Sequence, residues 1–516
     1  MPNRLIVLAL FIAALYAVPF GAGCSGEAPA DRFPGGFILG AATSGFQMEM
    51  GCPTLPRWLC VDDNSDWYRF ATDEEMIAAS GTYLSGDDPA VTGPGFWELY
   101  REDLDRLAYE LHGNGLKTTI EWSRIFPRPT DSLTTFDELR AAADPRAVEH
   151  YHNLFRAVRE RNLTPLVILN YYTLPAWIHD GIGCHYSLAA CSPRGWVDRD
   201  RTVREITKYA GFAAAEFGGQ VDLWCTVQSP FQAMFGSYLW PSADRSGPPA
   251  LLLREEEAQF VFGGLVEAHA RMYDAIKAND LQDADGDGVP ALVGVAYAPA
   301  PAEPEDPGDM YDRRGAENVF YLWNTAYLNA VILGEFDPDL DREAEYREDL
   351  AGRMDFLGIS YFYGINVVGT PYPVIEDFSP LSTFDPFGIS QVWRPAGLYK
   401  LVMQMSNDYG LPIIITESGA DDRHDDGTAP RYLVEHLTWL LRAVRDGADV
   451  RGYFFNTLTD SFEWNLGTAW KYGLYRVDPD DPAKQRTPRR AAATFAAIAA
   501  ERRIPDELMQ LYPVGE

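Results

Sequence analysis

Apolar and polar positions follow two rhythms along this chain. Short apolar runs fall at Phe37–Ala42, Thr118–Trp122, Leu166–Tyr171, Asp222–Val227, Val293–Ala298, Phe356–Tyr361, Ile413–Thr416 and Gly452–Phe455. Longer stretches with helical spacing lie between them at Trp97–Leu111, Ala147–Arg161, Thr202–Phe217, Glu256–Lys277 and Tyr432–Arg445. The runs are nearly continuous rather than alternating, as expected of strands covered on both faces. Eight strands, each followed by a helix, predict an α/β fold closed into one (β/α)8 TIM barrel with inserted loops. Spacing alone leaves an open doubly wound sheet as the alternative, and the positions of the motifs decide between the two.

The run Ile413-Ile-Ile-Thr-Glu-Ser-Gly419 stops at a Thr-Glu pair and a turn. It places Glu417 at the carboxyl end of a buried strand, where barrel enzymes keep their chemistry. A second segment of the same design, Val221-Asp-Leu-Trp-Cys-Thr-Val-Gln-Ser-Pro230, is expected to deliver a partner acid and offers Ser229 instead.

Length and composition narrow the picture. The 516 residues are 47% hydrophobic, enough for a large core, and no linker, repeat or low-complexity tract divides them. One domain over residues 24–516 is the expectation. A net charge of −32 excludes nucleic acid as a partner, because little here would neutralise phosphates. It reads as a solvated acidic surface.

Residues 1–23 form a basic start, an apolar middle and a small-residue exit, the pattern of a secretory signal. Gly21-Ala-Gly23 before Cys24 resembles a lipoprotein box, although Gly21 stands where leucine is usual. Lipidation of Cys24 and plain cleavage both remain open. The expected location is periplasmic or at the cell envelope, or otherwise secreted, with membrane attachment only through a lipidated Cys24. Cys52 and Cys60, and Cys184 and Cys191, are disulfide candidates suited to such a compartment, while Cys225 reads as a small buried hydrophobe. Asp283, Asp285 and Asp287 alternate like the start of a calcium loop, but the twelfth position is Gly294 rather than glutamate, and a solvated turn competes with that reading.

Six motifs stand in an order that resembles glycoside hydrolase family 1, the β-glucosidase and β-galactosidase family, and within it the archaeal β-glycosidase branch. They are Gly40-Ala-Ala-Thr-Ser-Gly-Phe-Gln-Met-Glu49, Glu121-Trp-Ser-Arg-Ile-Phe-Pro127, Leu174-Pro-Ala-Trp-Ile-His-Asp180, Ile415-Thr-Glu-Ser-Gly419, Gly447-Ala-Asp-Val-Arg-Gly-Tyr453 and Phe462-Glu-Trp464. The resemblance implies retaining hydrolysis of β-glycosides. One carboxylate attacks the anomeric carbon, and a second, about 5 Å away, protonates the leaving oxygen and later deprotonates water. It assigns the nucleophile to Glu417 and sugar-binding roles to Gln47, Glu463 and Trp464. A small-molecule glycoside is the implied partner, and no cofactor is required.

Other positions depart from the family pattern. Its Asn-Glu-Pro after the fourth strand is Gln228-Ser229-Pro230 here, so Ser229 stands at the acid/base position. The arginine beside the nucleophile is Lys117, and the His-Trp pair after the third strand is Tyr171-Tyr172. Asn-Tyr-Tyr after the sixth strand becomes Ser360-Tyr361-Phe362, leaving Tyr363 as a phenol that could steady Glu417. The tryptophan beneath the sugar becomes Asn456, and the asparagine after the nucleophile becomes Ser418. A serine is far too weak an acid to protonate an alkoxide near neutral pH. The expectation is an exported β-glycosidase-like protein acting on substrates with good leaving groups or transferring glycosyl groups to an acceptor other than water. Its rivals are a catalytically silent carbohydrate-binding envelope protein on the same barrel, and an enzyme whose missing carboxylate comes from elsewhere, such as the loop after Pro230.

Overall fold

The computed structural model describes residues 32–515; the expected leader and Cys24 lie outside them. Eight parallel strands form the centre: β1 Ile38–Ala42, β2 Gly115–Thr119, β3 Thr164–Asn170, β4 Leu223–Gln228, β5 Leu292–Tyr297, β6 Phe356–Ser360, β7 Ile413–Ser418 and β8 Val450–Phe455. Each pairs with its neighbours in chain order, and β8 closes on β1 with Ile38 opposite Gly452 and Ala41 opposite Phe455. The open sheet is thereby excluded.

Burial explains why these segments are strands. One set of side chains, including Ile38, Leu166, Ile168, Cys225, Phe356, Ile414 and Phe454, fills the barrel interior as its own cluster. The alternate set, such as Leu39, Val167, Trp224, Val293, Leu357 and Ile415, points outward into the helical shell. Gly40 makes room for this filling. A Cβ there would lie 2.5 Å from the Gly115 carbonyl and 2.6 Å from the Phe454 ring.

The helix Pro145–Glu160 shows how the outer layer is specified. The Asp144 carboxylate accepts from the Arg146 N–H, Pro145 occupies the first turn, and Ala147, Tyr151, Leu154, Phe155 and Val158 make the buried stripe. Arg199–Phe217, Glu255–Asn279 and Thr428–Arg445 likewise fall on expected segments, as does Phe96–Asp105, which continues as a π-helical turn over Arg106–Glu110. Pro395–Tyr409 and Arg490–Glu501 are further helices.

One strand differs from expectation. The run anticipated at Thr118–Trp122 is displaced towards the amino end, with β2 at Gly115–Thr119 and Trp122–Ile125 forming a short helix. A lysine in the middle of a segment argues against burial, yet Lys117 is fully buried because its ammonium has a carboxylate partner inside the barrel.

A three-stranded sheet of Ala302–Pro304, Gly364–Gly369 and Phe384–Val392 stands over the carboxyl end of the barrel, and Gln391 and Val392 reach the cavity below it. Cys52–Cys60 and Cys184–Cys191 are disulfide-bonded, and Cys225 is the free cysteine among the described residues. With sequence separations of 8 and 7, each bridge closes a small loop. Loop-closure entropy gives each about 2.5 kcal/mol. Thermal melts with and without reductant are expected to separate by several degrees, and single Cys→Ser changes in each bridge to account for the difference. Coincident melts would mean that neither bridge contributes.

Candidate active site

The carboxyl ends of the strands surround a cavity of about 460 Å³, within the range that takes small ligands. Gln47, Tyr171, Tyr172, Ser229, Ser360, Phe362, Asn456, Glu463, Trp464 and Glu417 all line it. Of the expected site residues, Lys117 and Gln228 lie behind this surface.

Glu417 reaches the cavity because the end of β7 is irregular. Its register against β6 shifts between Ile415 and Glu417, and against β8 between Ile415 and Ser418. Such bulges re-aim side chains at barrel rims. Gly419 then admits the next segment: a Cβ there would meet the Asn456 carbonyl at 2.1 Å.

Three groups hold the Glu417 carboxylate. Lys117 Nζ donates to Oε1 at 2.5 Å, and Gln228 Nε2 donates to Oε2 at 2.5 Å. The Tyr171 hydroxyl donates to Oε2 at 3.4 Å, while its ring centroid lies 4.7 Å from the Lys117 ammonium. Gln228, expected against the sugar, is therefore redirected to the carboxylate. Register explains this: the β4 pairing with β5 shifts between Cys225 and Gln228, turning the amide inward. The phenol on Glu417 also comes from an unexpected strand end. Tyr361 points outward, donating to the Arg394 carbonyl at 2.6 Å. Phe362 and Tyr363 line the cavity, but Tyr171, after β3, makes the contact.

Ser229 follows Gln228 at φ 48° and ψ 53°, with its N–H on the Ala296 carbonyl at 2.8 Å. Tyr172 and Trp464 also have positive φ, at 66° and 54°. Left-handed conformations at three non-glycine residues around one cavity are strain of the kind that gathers at functional sites. The Ser229 side chain meets the Tyr172 hydroxyl. That hydroxyl also accepts from Arg245 Nη1 at 3.2 Å.

Across the cavity, Gln47 Nε2 donates to Glu463 Oε2 at 3.3 Å, and Ser461 Oγ donates to Glu463 Oε1 at 2.6 Å. Burial pushes the Glu463 carboxyl up to about 7, with Glu417 adding to the rise and Ser461 and Arg245 opposing it. Trp464 stacks on Phe46, with ring centroids 5.4 Å apart and planes 11° apart, and meets Tyr171 and Tyr172 at 4.9 and 4.8 Å. Its buried indole N–H has no hydrogen-bond partner among the described residues. Ser418 turns away from the cavity to the Tyr432 hydroxyl at 3.0 Å.

The ordered barrel-end motifs and this carboxylate-centred cavity agree with the comparison to family models. The glycosyl hydrolase family 1 model matches residues 29–504. The chain belongs to glycosyl hydrolase family 1. As a family 1 chain it is a β-glycosidase-like glycoside hydrolase. It is similar to a β-galactosidase of Pyrococcus woesei, 32% identical over 93% of this chain and 100% of that protein. A β-galactosidase of Saccharolobus solfataricus is 31% identical, covering 93% and 98%. The crystal structure of the β-glycosidase of Thermosphaera aggregans superimposes with a TM-score of 0.79 at 30% identity, covering 94% of this chain and 100% of that one.

Several cavity residues were not anticipated from sequence: Asp244, Arg245, Asp421, Trp470 and Tyr472. The signal for Arg245 is its setting in Pro241-Ser-Ala-Asp-Arg-Ser-Gly-Pro248, a turn-rich loop following a barrel strand. The acidic loop lies by the amino end of β4, away from Glu417. There Asp283 and Asp285 group with Asp222 rather than with Asp287. Asp283, Asp285 and Asp287 each accept N–H groups of their own turn, as in a solvated Asx-type turn.

Two outcomes follow. Lys117→Met leaves Glu417 buried without its cation, which is expected to cost about 3–5 kcal/mol. Adding Glu417→Gln should restore most of that in urea unfolding, whereas additive losses would show that the pair is not coupled. The second concerns Glu463. Below pH 7 its carboxyl gains a proton and loses acceptor capacity towards sugar hydroxyls. Sugar affinity is therefore expected to rise with pH through about 7, and Glu463→Gln to flatten that profile in a titration series.

Proposed function

We propose that this protein is an exported retaining β-glycosidase whose nucleophile is Glu417 and whose acid/base position is held by Ser229. It acts on β-linked glycosides with leaving groups that depart without a proton. The observation that carries the reading is the setting of Glu417, a carboxylate on the cavity wall fixed by Lys117, Gln228 and Tyr171 while the partner position presents a hydroxyl.

In the first half-reaction a Glu417 oxygen forms a bond to the anomeric carbon as the aglycone leaves with the bonding electrons. The second half returns the glycosyl group to water, slowly without a base, or to a better acceptor. Gln47 and Glu463 supply polar partners for sugar hydroxyls, and Tyr171, Tyr172 and Trp464 supply apolar ring faces. The β-galactosidase names of the relatives support a β-hexoside as the sugar. Export is supported by the basic-apolar-small leader before Cys24 and by the two disulfides.

A second reading has its own support. Both Glu417 oxygens accept close hydrogen bonds, as suits a residue kept for structure in a carbohydrate-binding protein that has lost its chemistry. A panel of activated aryl β-glycosides separates the two. The enzyme reading expects a burst of aryl release, then slow turnover. Azide needs no deprotonation, so it should recover part of the roughly 10²–10⁴-fold deficit left by a missing acid/base and give a β-glycosyl azide. Glu417→Gln should abolish the burst. Sugar binding with no burst on any panel member would leave the binding protein.

A further inference from the structure

Arg245 sits in the loop between the short helix after β4 and the helix Glu255–Asn279. Among the described residues lining the cavity it is the one cation. Nη1 donates to the Tyr172 hydroxyl at 3.2 Å, and its guanidinium carbon lies 5.6 Å from that ring's centroid. The same hydroxyl meets Ser229. Around the position where a family 1 enzyme keeps its proton donor, this chain therefore gathers a hydroxyl, a phenol and a permanent positive charge. Burial raises the Tyr172 phenol and opposes its ionisation, so that group stays a neutral donor. The guanidinium holds its protons at any working pH.

These groups are unsuited to protonating an alkoxide and well suited to receiving an anion. We propose that Arg245, with Tyr172 and Ser229, forms a leaving-group subsite for aglycones that carry an oxyanion, such as a carboxylate or sulfate. The proposal rests on Glu417 as nucleophile. The anomeric carbon bonds to Glu417, the bond to the aglycone breaks, and the electron pair remains on the leaving atom. No proton moves, and the Arg245 charge is already in place where negative charge collects. Asp244 lines the same cavity beside Arg245 and opposes an anion there. Its removal should therefore tighten binding.

The test uses a nitrophenyl β-glycoside and its carboxylated nitrophenyl counterpart, across gluco- and galacto-configured sugars. Equilibrium binding is measured on the full chain carrying Glu417→Gln, and burst rates on the chain with Glu417. The carboxylated compound is expected to bind roughly tenfold tighter or more, the size of one charge-assisted contact. Arg245→Gln should erase that preference, Arg245→Lys should restore part of it, and Asp244→Asn should enlarge it. Equal binding of the two compounds, equal weakening of both by Arg245→Gln, or no binding of either overturns the subsite. Loss of the burst in Asp244→Asn would make Asp244 the acid and also overturn it. A clear Arg245-dependent preference without any burst supports the subsite and overturns Glu417 as a nucleophile instead, so the two readings fail separately.

Discussion

The Lys117–Glu417 pair is the constraint on which the site depends. Both groups are buried, at 0% and 4% side-chain exposure, and their atoms are 2.5 Å apart. Removing either charge from water costs several kcal/mol, which their close pairing offsets. The pair therefore ties β2 to β7 across the barrel mouth and fixes the direction in which Glu417 points. A lysine does this as a point charge, whereas an arginine would grip both oxygens. The second oxygen consequently needs other donors, and Gln228 and Tyr171 provide them.

That arrangement makes the cavity asymmetric. On one side a carboxylate is positioned by three donors from β2, β3 and β4. Around Ser229 the wall is built from a strained serine, a tyrosine and Arg245, with Asp244 beside the arginine. The two sides share Tyr171-Tyr172, because consecutive residues after β3 face different neighbours. One phenol reaches Glu417, and the next reaches Ser229 and Arg245. Two adjacent phenols at this strand end thus shape both the support of Glu417 and the wall around Ser229.

Much of this was legible in the chain. Eight apolar runs located all eight barrel strands, and Thr416-Glu417 marked the strand end that carries the carboxylate. Strand ends were harder to place, as β2 shows: its lysine is buried only because a partner 300 residues away is buried with it. Gln228 was misplaced for a related reason, since a register shift inside β4 turns a side chain without leaving a mark in the hydrophobic pattern. The acidic loop was legible as a turn, but Asp222 joins it through folding alone. Arg245 lies in a loop whose path is set by packing against Trp67 and Tyr172 rather than by local periodicity.

An anionic leaving group must also be reconciled with a chain of net charge −32. The average field disfavours the approach of an anion, but salt screens it over about 8 Å at physiological ionic strength. Inside the cavity the nearest charges decide. Glu417 is neutralised by Lys117, and Glu463, with a carboxyl near 7, is partly protonated at neutral pH. Arg245 then contributes a permanent positive charge beside Ser229, opposed chiefly by its neighbour Asp244. The surface charge bears on how fast a substrate arrives, and the Lys117 pairing, by offsetting part of the Glu417 charge, lowers the cost of holding an anion beside it.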